Sequence, residues 1–166
     1  MYHTLEEFCL DWSFEAESTI GVLNELTDES LSVRVTPEGR DIRTLAWHLV
    51  TSISEMMTRV GLTLDGPGED DPAPATARNI VDGYRAAATS LERRMRDSWS
   101  DSTLREEHDM YGEHWSVAKT LGVLVVHQIH HRAQLTVLMR QAGLRVPGVY
   151  GPSREEWAAI GRAPLP

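Results

Sequence analysis

The 166-residue sequence has few of the residues that several protein classes require. Its single cysteine, Cys9, excludes a disulfide within the chain, and its place in an apolar repeat indicates a buried thiol. Sixteen Lys and Arg stand against 25 Asp and Glu, which gives a formal charge of -9. The basic residues do not cluster with aromatic side chains as a phosphate-tracking surface requires. We therefore expect no nucleic-acid partner.

Long apolar runs are also absent. No uninterrupted apolar stretch approaches the roughly 20 residues that a membrane-spanning helix needs. Residues 1–7 include two glutamates where a signal peptide would have a basic stretch followed by an apolar one. These features predict a cytoplasmic protein without a membrane partner. The hydrophobic content of 41% and the chain length are typical of one globular domain, here residues 1–166.

Apolar residues recur at three- and four-residue steps in four segments, which predicts four amphipathic helices. A capping box at residues 4–7 begins a first helix of about 22 residues. Asp41 is the expected N-cap of a second helix that reaches Val60. The third helix is predicted from Thr76 to about Trp99, and the fourth from Ser116 to near Gly143. A short further helix is expected between residues 153 and 160.

The connections between these helices carry breaker residues. Residues 65–74 are acidic and rich in Pro and Gly, so they predict a long exposed connection between helices 2 and 3. Residues 100–115 are polar, and Tyr111 and Gly112 mark a brief extended excursion or hairpin. No segment has a convincing strand alternation. The sequence therefore predicts an all-α four-helix bundle with a short C-terminal extension, in which sites form between facing helices.

Two histidines in the fourth helix are the most informative residues for function. His127 and His131 are four positions apart, so they differ by about 40° around the helix axis and point the same way. His130 lies about 100° from His131 and belongs to another face. His48 lies in the apolar stripe of the second helix. Three imidazoles with a fourth position left open suit a catalytic site for Zn, Ni, Cu or Fe.

Each of these residues also has a structural interpretation. Pairs of histidines at this spacing are common on helices, and a histidine on an apolar stripe is more often a core residue than a ligand. Glu55, seven residues after His48, is the one candidate for a catalytic carboxylate, since it can orient a ligand or accept a proton. A surface carboxylate is the alternative. The hydroxyls of Thr51 and Ser52 more often bond to their own helix.

Three segments resemble the DinB/YfiT-like family of metal-dependent proteins. They are residues 45–50 (Leu-Ala-Trp-His-Leu-Val), residues 127–135 (His-Gln-Ile-His-His-Arg-Ala-Gln-Leu) and residues 146–148 (Val-Pro-Gly). Their order and spacing cover nearly the whole chain. The doubled histidine followed by Arg-x-Gln is more specific than the histidine pair alone.

The resemblance implies a bundle with a long connection between helices 2 and 3 and a divalent ion, commonly zinc or nickel, held at His48, His127 and His131. It also implies frequent homodimers. Relatives include S-transferases and isomerases that use mycothiol, bacillithiol or glutathione, in which the metal activates the thiol. One variant of the family has a carboxylate in the fourth-helix ligand pair. This chain resembles the three-histidine type, so an isomerase activity is not carried over.

The leading hypothesis is thus a metal-dependent enzyme, a thiol-dependent S-transferase acting on a small electrophilic substrate. One alternative is a hydrolase that uses metal-bound hydroxide, with Glu55 as proton shuttle. Another is a non-catalytic bundle that binds metal for sequestration or sensing. Five Trp residues in so short a chain also suggest a homodimer formed through the remaining apolar faces of helices 1 and 3.

Overall fold

Four α-helices dominate the computed structural model of the protein, which describes residues 1–163. They are α1 (Leu5–Leu23), α2 (Ile42–Arg59), α3 (Ala77–Ser98) and α4 (Val117–Gln141). Two short strands, β1 (Glu107–Met110) and β2 (Glu113–Ser116), pair as an antiparallel hairpin before α4. Short 3-10 helices occupy Asp28–Ser32, Thr103–Arg105 and Trp157–Ile160. The predicted all-α bundle with a long connection between helices 2 and 3 is confirmed.

The helices begin at the residues that the sequence marks as caps. Thr4 forms a reciprocal capping box with Glu7, and Asp41 accepts a hydrogen bond of 2.8 Å from the backbone N–H of Thr44. The first helix is shorter than predicted because it ends at Leu23. Leu26 is nevertheless buried, so the apolar spacing continues into the turn that follows the helix. Apolar periodicity therefore marks burial beyond the helix end.

The core lies where each helix packs on two others. Both α1 and α2 pack against α3 and α4, so α2 and α4 are direct neighbours. Phe8, Trp12, Leu49, Leu91 and Leu121 are among the side chains with at most 1% exposure. Cys9 is buried, as predicted. The neighbouring positions of α2 and α4 decide which side chains can meet across the bundle.

The connection between α2 and α3 is exposed but attached. None of residues 65–74 is buried. Ser54 donates a hydrogen bond of 2.6 Å to the carbonyl oxygen of Pro67, and the indole N–H of Trp47 donates one of 2.7 Å to the carbonyl oxygen of Asp71. Asp65 pairs with Arg93 and Arg94 of α3. The connection is therefore fixed along the edge of α2 that carries His48.

A buried ion pair joins α4 to α1. The guanidinium of Arg132 donates to the carboxylate of Glu15 at 2.6 Å, and their side chains are 3% and 8% exposed. Arg132 also donates to the backbone oxygen of Glu15, to Thr19 and to the hydroxyl of Tyr150. Tyr150 donates in turn to Glu15 at 2.6 Å. This network pairs both charges and attaches the segment after α4 to the bundle.

The predicted dimer through helices 1 and 3 was suggested by the Trp content, but Trp12 belongs to the core. The large apolar side chains that are exposed on the four α-helices lie on α1 and α4 instead: Leu10, Phe14, Val126 and Val137. The dimer itself stays a prediction.

None of the helices within residues 1–163 combines the length and the apolar character needed to cross a bilayer.

Replacing Glu15 by Gln should destabilise the fold by about 3–5 kcal/mol, because Arg132 would remain buried without its counter-charge. The double variant Glu15→Leu/Arg132→Met should lose much less, since neither charge remains. Urea unfolding measures both. Glu6→Gln is the control, because the Glu6–Arg96 pair is exposed and its loss should hardly move the midpoint. Equal losses in the single and double variants would contradict the importance of the pairing.

Candidate metal centre

The three histidines selected from the sequence meet at the interface of α2 and α4. The ring centroid of His48 lies 4.9 Å from that of His127 and 4.6 Å from that of His131, and the last two are 4.4 Å apart. One nitrogen from each ring lies within 4.8 Å of the other two. His48 and His127 approach most closely, with 3.3 Å between their Nε2 atoms. The group can hold a metal ion.

The separation of the His48 and His127 nitrogens fits one edge of a tetrahedral site. Zinc binds imidazole nitrogen at about 2.0–2.1 Å, and two ligands of a tetrahedron are then about 3.3–3.4 Å apart. The 3.3 Å between His48 and His127 matches that edge. A hydrogen bond between two neutral imidazoles has a similar length, so this distance alone is compatible with both. The third imidazole favours the metal site, because a hydrogen-bonded pair does not require it.

The partner of His131 orients its ring for coordination. The side-chain oxygen of Gln134 lies 2.8 Å from His131 Nδ1, and the amide nitrogen of Gln134 lies 3.0 Å from His130 Nε2. With the amide nitrogen of Gln134 facing His130, Nδ1 of His131 carries the proton and donates a hydrogen bond to the Gln134 oxygen. Nε2 then keeps its lone pair, the state that a metal ligand needs. Gln134 belongs to the Arg-x-Gln sequence, but its role was not predicted.

Burial keeps the imidazoles neutral. It lowers the pKa of His48 to about 4, with smaller contributions from the nearby His131 and His127. It likewise lowers the pKa of His127 to about 4, assisted by His131. The pKa of His131 is lowered for the same reason. At neutral pH all three rings therefore have the deprotonated nitrogen that a metal ion requires.

A cavity of about 370 Å³ opens beside the cluster. The side chains that line it come from α2, α4, the connection after α2 and the hairpin turn: His48, Thr51, Ser52, Glu55, Met56, Arg59, Glu69, Tyr111 and His127. A cavity of this size takes a small organic molecule. The cluster is therefore accessible from one side, as an ion with a free coordination position would be.

Glu55 lies in the wall of this cavity and is fixed by two neighbours. It pairs with Arg59 one turn along α2 and accepts a hydrogen bond of 2.8 Å from the hydroxyl of Tyr111. The guanidinium of Arg59 also lies over the Tyr111 ring, 4.7 Å from its centroid. Burial and the Glu55 carboxylate raise the pKa of Tyr111 to about 12, so its phenol keeps its proton. Glu55 thus lines the same cavity as His48 and His127.

Tyr111 reaches Glu55 from the turn of the β1–β2 hairpin. Tyr111 and Gly112 have φ angles of 61° and 85°, as a two-residue hairpin turn with both central residues left-handed requires. Gly suits this conformation, whereas an aromatic residue in it costs about 1–2 kcal/mol. The turn was expected from the sequence, but the contact with Glu55 was not. His108 and His114 lie on the two strands and, like His130, do not join the three-histidine cluster.

Comparison with known proteins shows the family of the chain. A model of the DinB family matches residues 1–164. The chain belongs to the DinB family. It is 43% identical over 161 residues to the uncharacterized protein YrdA of Bacillus subtilis, covering 97% of this chain and 96% of YrdA. The resemblance inferred from the histidine segments is thereby confirmed.

Solved DinB structures share the bundle. A DinB-like protein from Bacillus cereus is 43% identical and superposes with a TM-score of 0.87, covering 90% of this chain and all of the other. The DinB-like protein YjoA of Bacillus subtilis is 15% identical, with a TM-score of 0.68 over 86% of this chain and 96% of YjoA. The second likeness concerns the fold alone. Membership in the DinB family assigns no reaction to this protein.

The metal-free DinB protein should lose stability as the pH falls from about 6.5 towards 4. The pKa values of His48 and His127 drop from 6.5 to about 4 on folding, so the unfolded chain takes up protons first. The stability that the two neutral imidazoles contribute is complete above their unfolded pKa of 6.5 and is lost as the pH falls towards their folded pKa of about 4. Thermal unfolding of the metal-free protein between pH 7 and pH 4.5 measures this dependence.

The stability of the double variant His48→Gln/His127→Gln should depend less steeply on pH than that of the wild type, because the two shifted imidazoles are absent. Carboxylates titrate equally in both proteins and do not contribute to the difference. His130→Gln, which alters a histidine outside the cluster, is the matched control. If the stability of the double variant depended on pH as steeply as that of the wild type, the pKa values of these imidazoles would not shift on folding.

Proposed function

We propose that this DinB-family protein is a divalent-metal-dependent enzyme in which His48, His127 and His131 hold the ion. The observation that carries the proposal is the convergence of three neutral imidazoles, two of which, His48 and His127, line an open cavity. A structural ion would be enclosed by four protein ligands, whereas three ligands beside a cavity leave room for a reactant. We assign zinc or nickel as the ion, since both accept imidazole nitrogen.

We further propose that the reaction is thiol-dependent S-transfer to a small electrophile. A bound divalent ion lowers the pKa of a thiol or a water molecule and so provides a nucleophile at neutral pH. The preference for a thiol rests on the resemblance to family members that are S-transferases. The cavity volume supports a small electrophile placed next to the reacting atom of the thiol.

Glu55 is the proposed proton acceptor. Its carboxylate lies in the cavity wall, and the bonds from Arg59 and Tyr111 hold it in one orientation. The hydroxyls of Thr51 and Ser52 are less suitable, because they bond to backbone oxygens one turn earlier in α2, at 3.3 and 3.4 Å. Glu69 also lines the cavity, but no hydrogen bond to its side chain occurs within residues 1–163. Among the carboxylates of the wall, only Glu55 is pre-positioned.

Hydrolysis is the second candidate, and the same carboxylate supports it. Glu55 can accept a proton from water as well as from a thiol, so the wall of the cavity does not select between these nucleophiles. The dependence of turnover on added thiol is the discriminating property. A non-catalytic metal carrier is the third candidate, and the open cavity argues against it.

The homodimer remains a proposal, now with a different surface. The exposed apolar side chains Leu10 and Phe14 of α1 and Val126 and Val137 of α4 offer apolar area that a second copy can cover. Light scattering that detects only an 18.6 kDa species would exclude a stable dimer.

Replacing any one of His48, His127 and His131 by Ala should abolish stoichiometric metal in protein purified without a metal-binding tag. Two imidazoles bind a divalent ion much more weakly than three, because each ligand adds to the affinity. Elemental analysis measures the metal content. His130→Ala is the matched control, since it removes a histidine of the same helix outside the cluster, and it should keep the metal. Full metal content in all three cluster variants would overturn the proposal.

Glu55→Gln should keep the metal but reduce turnover by about 100-fold or more, because the amide cannot accept the proton. Turnover is measured with mycothiol, bacillithiol or glutathione and a panel of alkyl halides, epoxides and maleimides. Glu69→Gln is the control in the same cavity. Equal rates for wild type and Glu55→Gln would exclude the assigned role. Turnover of esters, amides or lactones without a thiol would favour the hydrolase.

A further inference from the structure

Gln128 is a polar side chain in the middle of the hydrophobic core. It lies on α4, directly after His127, and is fully buried. Its side-chain nitrogen donates to the backbone oxygen of Leu49 at 2.9 Å and approaches Ser52 Oγ at 3.2 Å. Its side-chain oxygen accepts a hydrogen bond of 3.1 Å from the hydroxyl of Tyr84. One amide thus connects α4 to both α2 and α3.

The chemistry of the partners fixes the orientation of this amide. The carbonyl oxygen of Leu49 can only accept, so the nitrogen of Gln128 must face it. The buried phenol of Tyr84, whose pKa is raised by burial, keeps its proton and donates to the oxygen of Gln128. Every hydrogen-bonding atom of the amide therefore has a partner, and the bonds determine one relative position of the helices.

The position of these bonds relative to the histidines is informative. Leu49 follows His48 on α2, and Gln128 follows His127 on α4. The bond from Gln128 to Leu49 therefore crosses the helix interface one residue away from the two imidazoles that are 3.3 Å apart. A shift of one helix against the other changes both distances together.

Metal binding tolerates less displacement than apolar packing does. Ligand distances must lie within about 0.2 Å of their ideal values, whereas a slip of one residue along a helix is about 1.5 Å. Apolar side chains at the interface provide cohesion, but cores of similar volume pack in more than one arrangement. A directional bond selects one of them. Apolar burial alone therefore does not guarantee the separation that the ion requires.

We propose that Gln128 is a positioning residue for the metal centre, which holds α2 and α4 in the register that brings His48 to coordinating distance of His127 and His131. This inference rests on the proposed metal-dependent function. Gln128 does not contact the ion, and it acts through the backbone next to His48. Removing Gln128 should therefore change metal affinity and ligand geometry, and this effect is separate from its effect on stability.

The test compares Gln128→Met with Tyr84→Phe. The first removes the bonds to α2, together with the acceptor of the Tyr84 bond, and retains a side chain of similar size. The second removes only the bond from α3 and leaves the bond from Gln128 to Leu49 in place. Zn²⁺ affinity is measured by competition with a chromophoric chelator, the Co²⁺ spectrum reports ligand geometry, and urea unfolding of the metal-free proteins reports stability.

Gln128→Met should weaken Zn²⁺ binding by about 10- to 100-fold and change the Co²⁺ absorption spectrum, as losses in the surroundings of metal ligands do. Tyr84→Phe should change the affinity by less than about threefold, even if both variants lose similar stability. If Gln128→Met does not fold, Tyr84→Phe/Gln128→Leu replaces it, because removing both polar partners leaves no unpaired group in the core. That variant should show the same loss of affinity.

Two results would overturn the inference. Wild-type Zn²⁺ affinity in the folded Gln128 variants would show that the amide stabilises the core without positioning the ligands. Equal affinity losses in Gln128→Met and Tyr84→Phe would show that general destabilisation is responsible. If the wild-type protein itself does not bind Zn²⁺, Co²⁺ or Ni²⁺ stoichiometrically, the proposed metal function fails and this inference fails with it.

Discussion

The packing of α2 against α4 is the contact on which the candidate site depends. His48 and His127 are 79 positions apart in the chain, and only this helix interface brings their nitrogens to 3.3 Å. Apolar burial along both helices drives the association, since Leu49, Ile53, Leu121 and Leu124 are fully buried. The imidazoles occupy positions at the edge of that interface, where burial keeps them neutral and the adjacent cavity keeps them accessible.

Directional polar contacts define the position of α4 within the bundle. Arg132 bonds to α1, Gln128 bonds to α2 and α3, and the histidine pair faces His48 of α2. Arg132 and Gln128 are expensive to bury unless they are paired, and both have partners on other helices. Apolar side chains on the same helix supply cohesion without selecting one register. Directional bonds to α1, α2 and α3 thus fix the helix that carries two of the three proposed ligands.

Much of this structure follows from local sequence signals. Caps at Thr4 and Asp41 and apolar periodicity predict the helices, and the spacing of His127 and His131 predicts that they share a face. The end of α1 was placed too late, because Leu26 continues the apolar period from the turn after Leu23. Local sequence patterns predict which residues are buried more reliably than they predict where a helix ends.

The residues that the sequence did not reveal act over long distances. Tyr111 reaches Glu55 across 56 positions, and Gln128 reaches Leu49 across 79. No sequence spacing predicts either contact, because both depend on how whole helices and the hairpin pack. The turn at Tyr111 and Gly112 was recognisable, but the direction of the Tyr111 side chain was not. Such contacts become visible only when the packed structure is known.

X-ray absorption spectroscopy of the zinc-loaded protein tests the central claim most directly. We predict three imidazole nitrogens at about 2.0–2.1 Å from the ion, together with one further light atom at the open position. A coordination shell with fewer than three imidazoles, or one that is unchanged when His48 is replaced, would contradict the three-histidine centre.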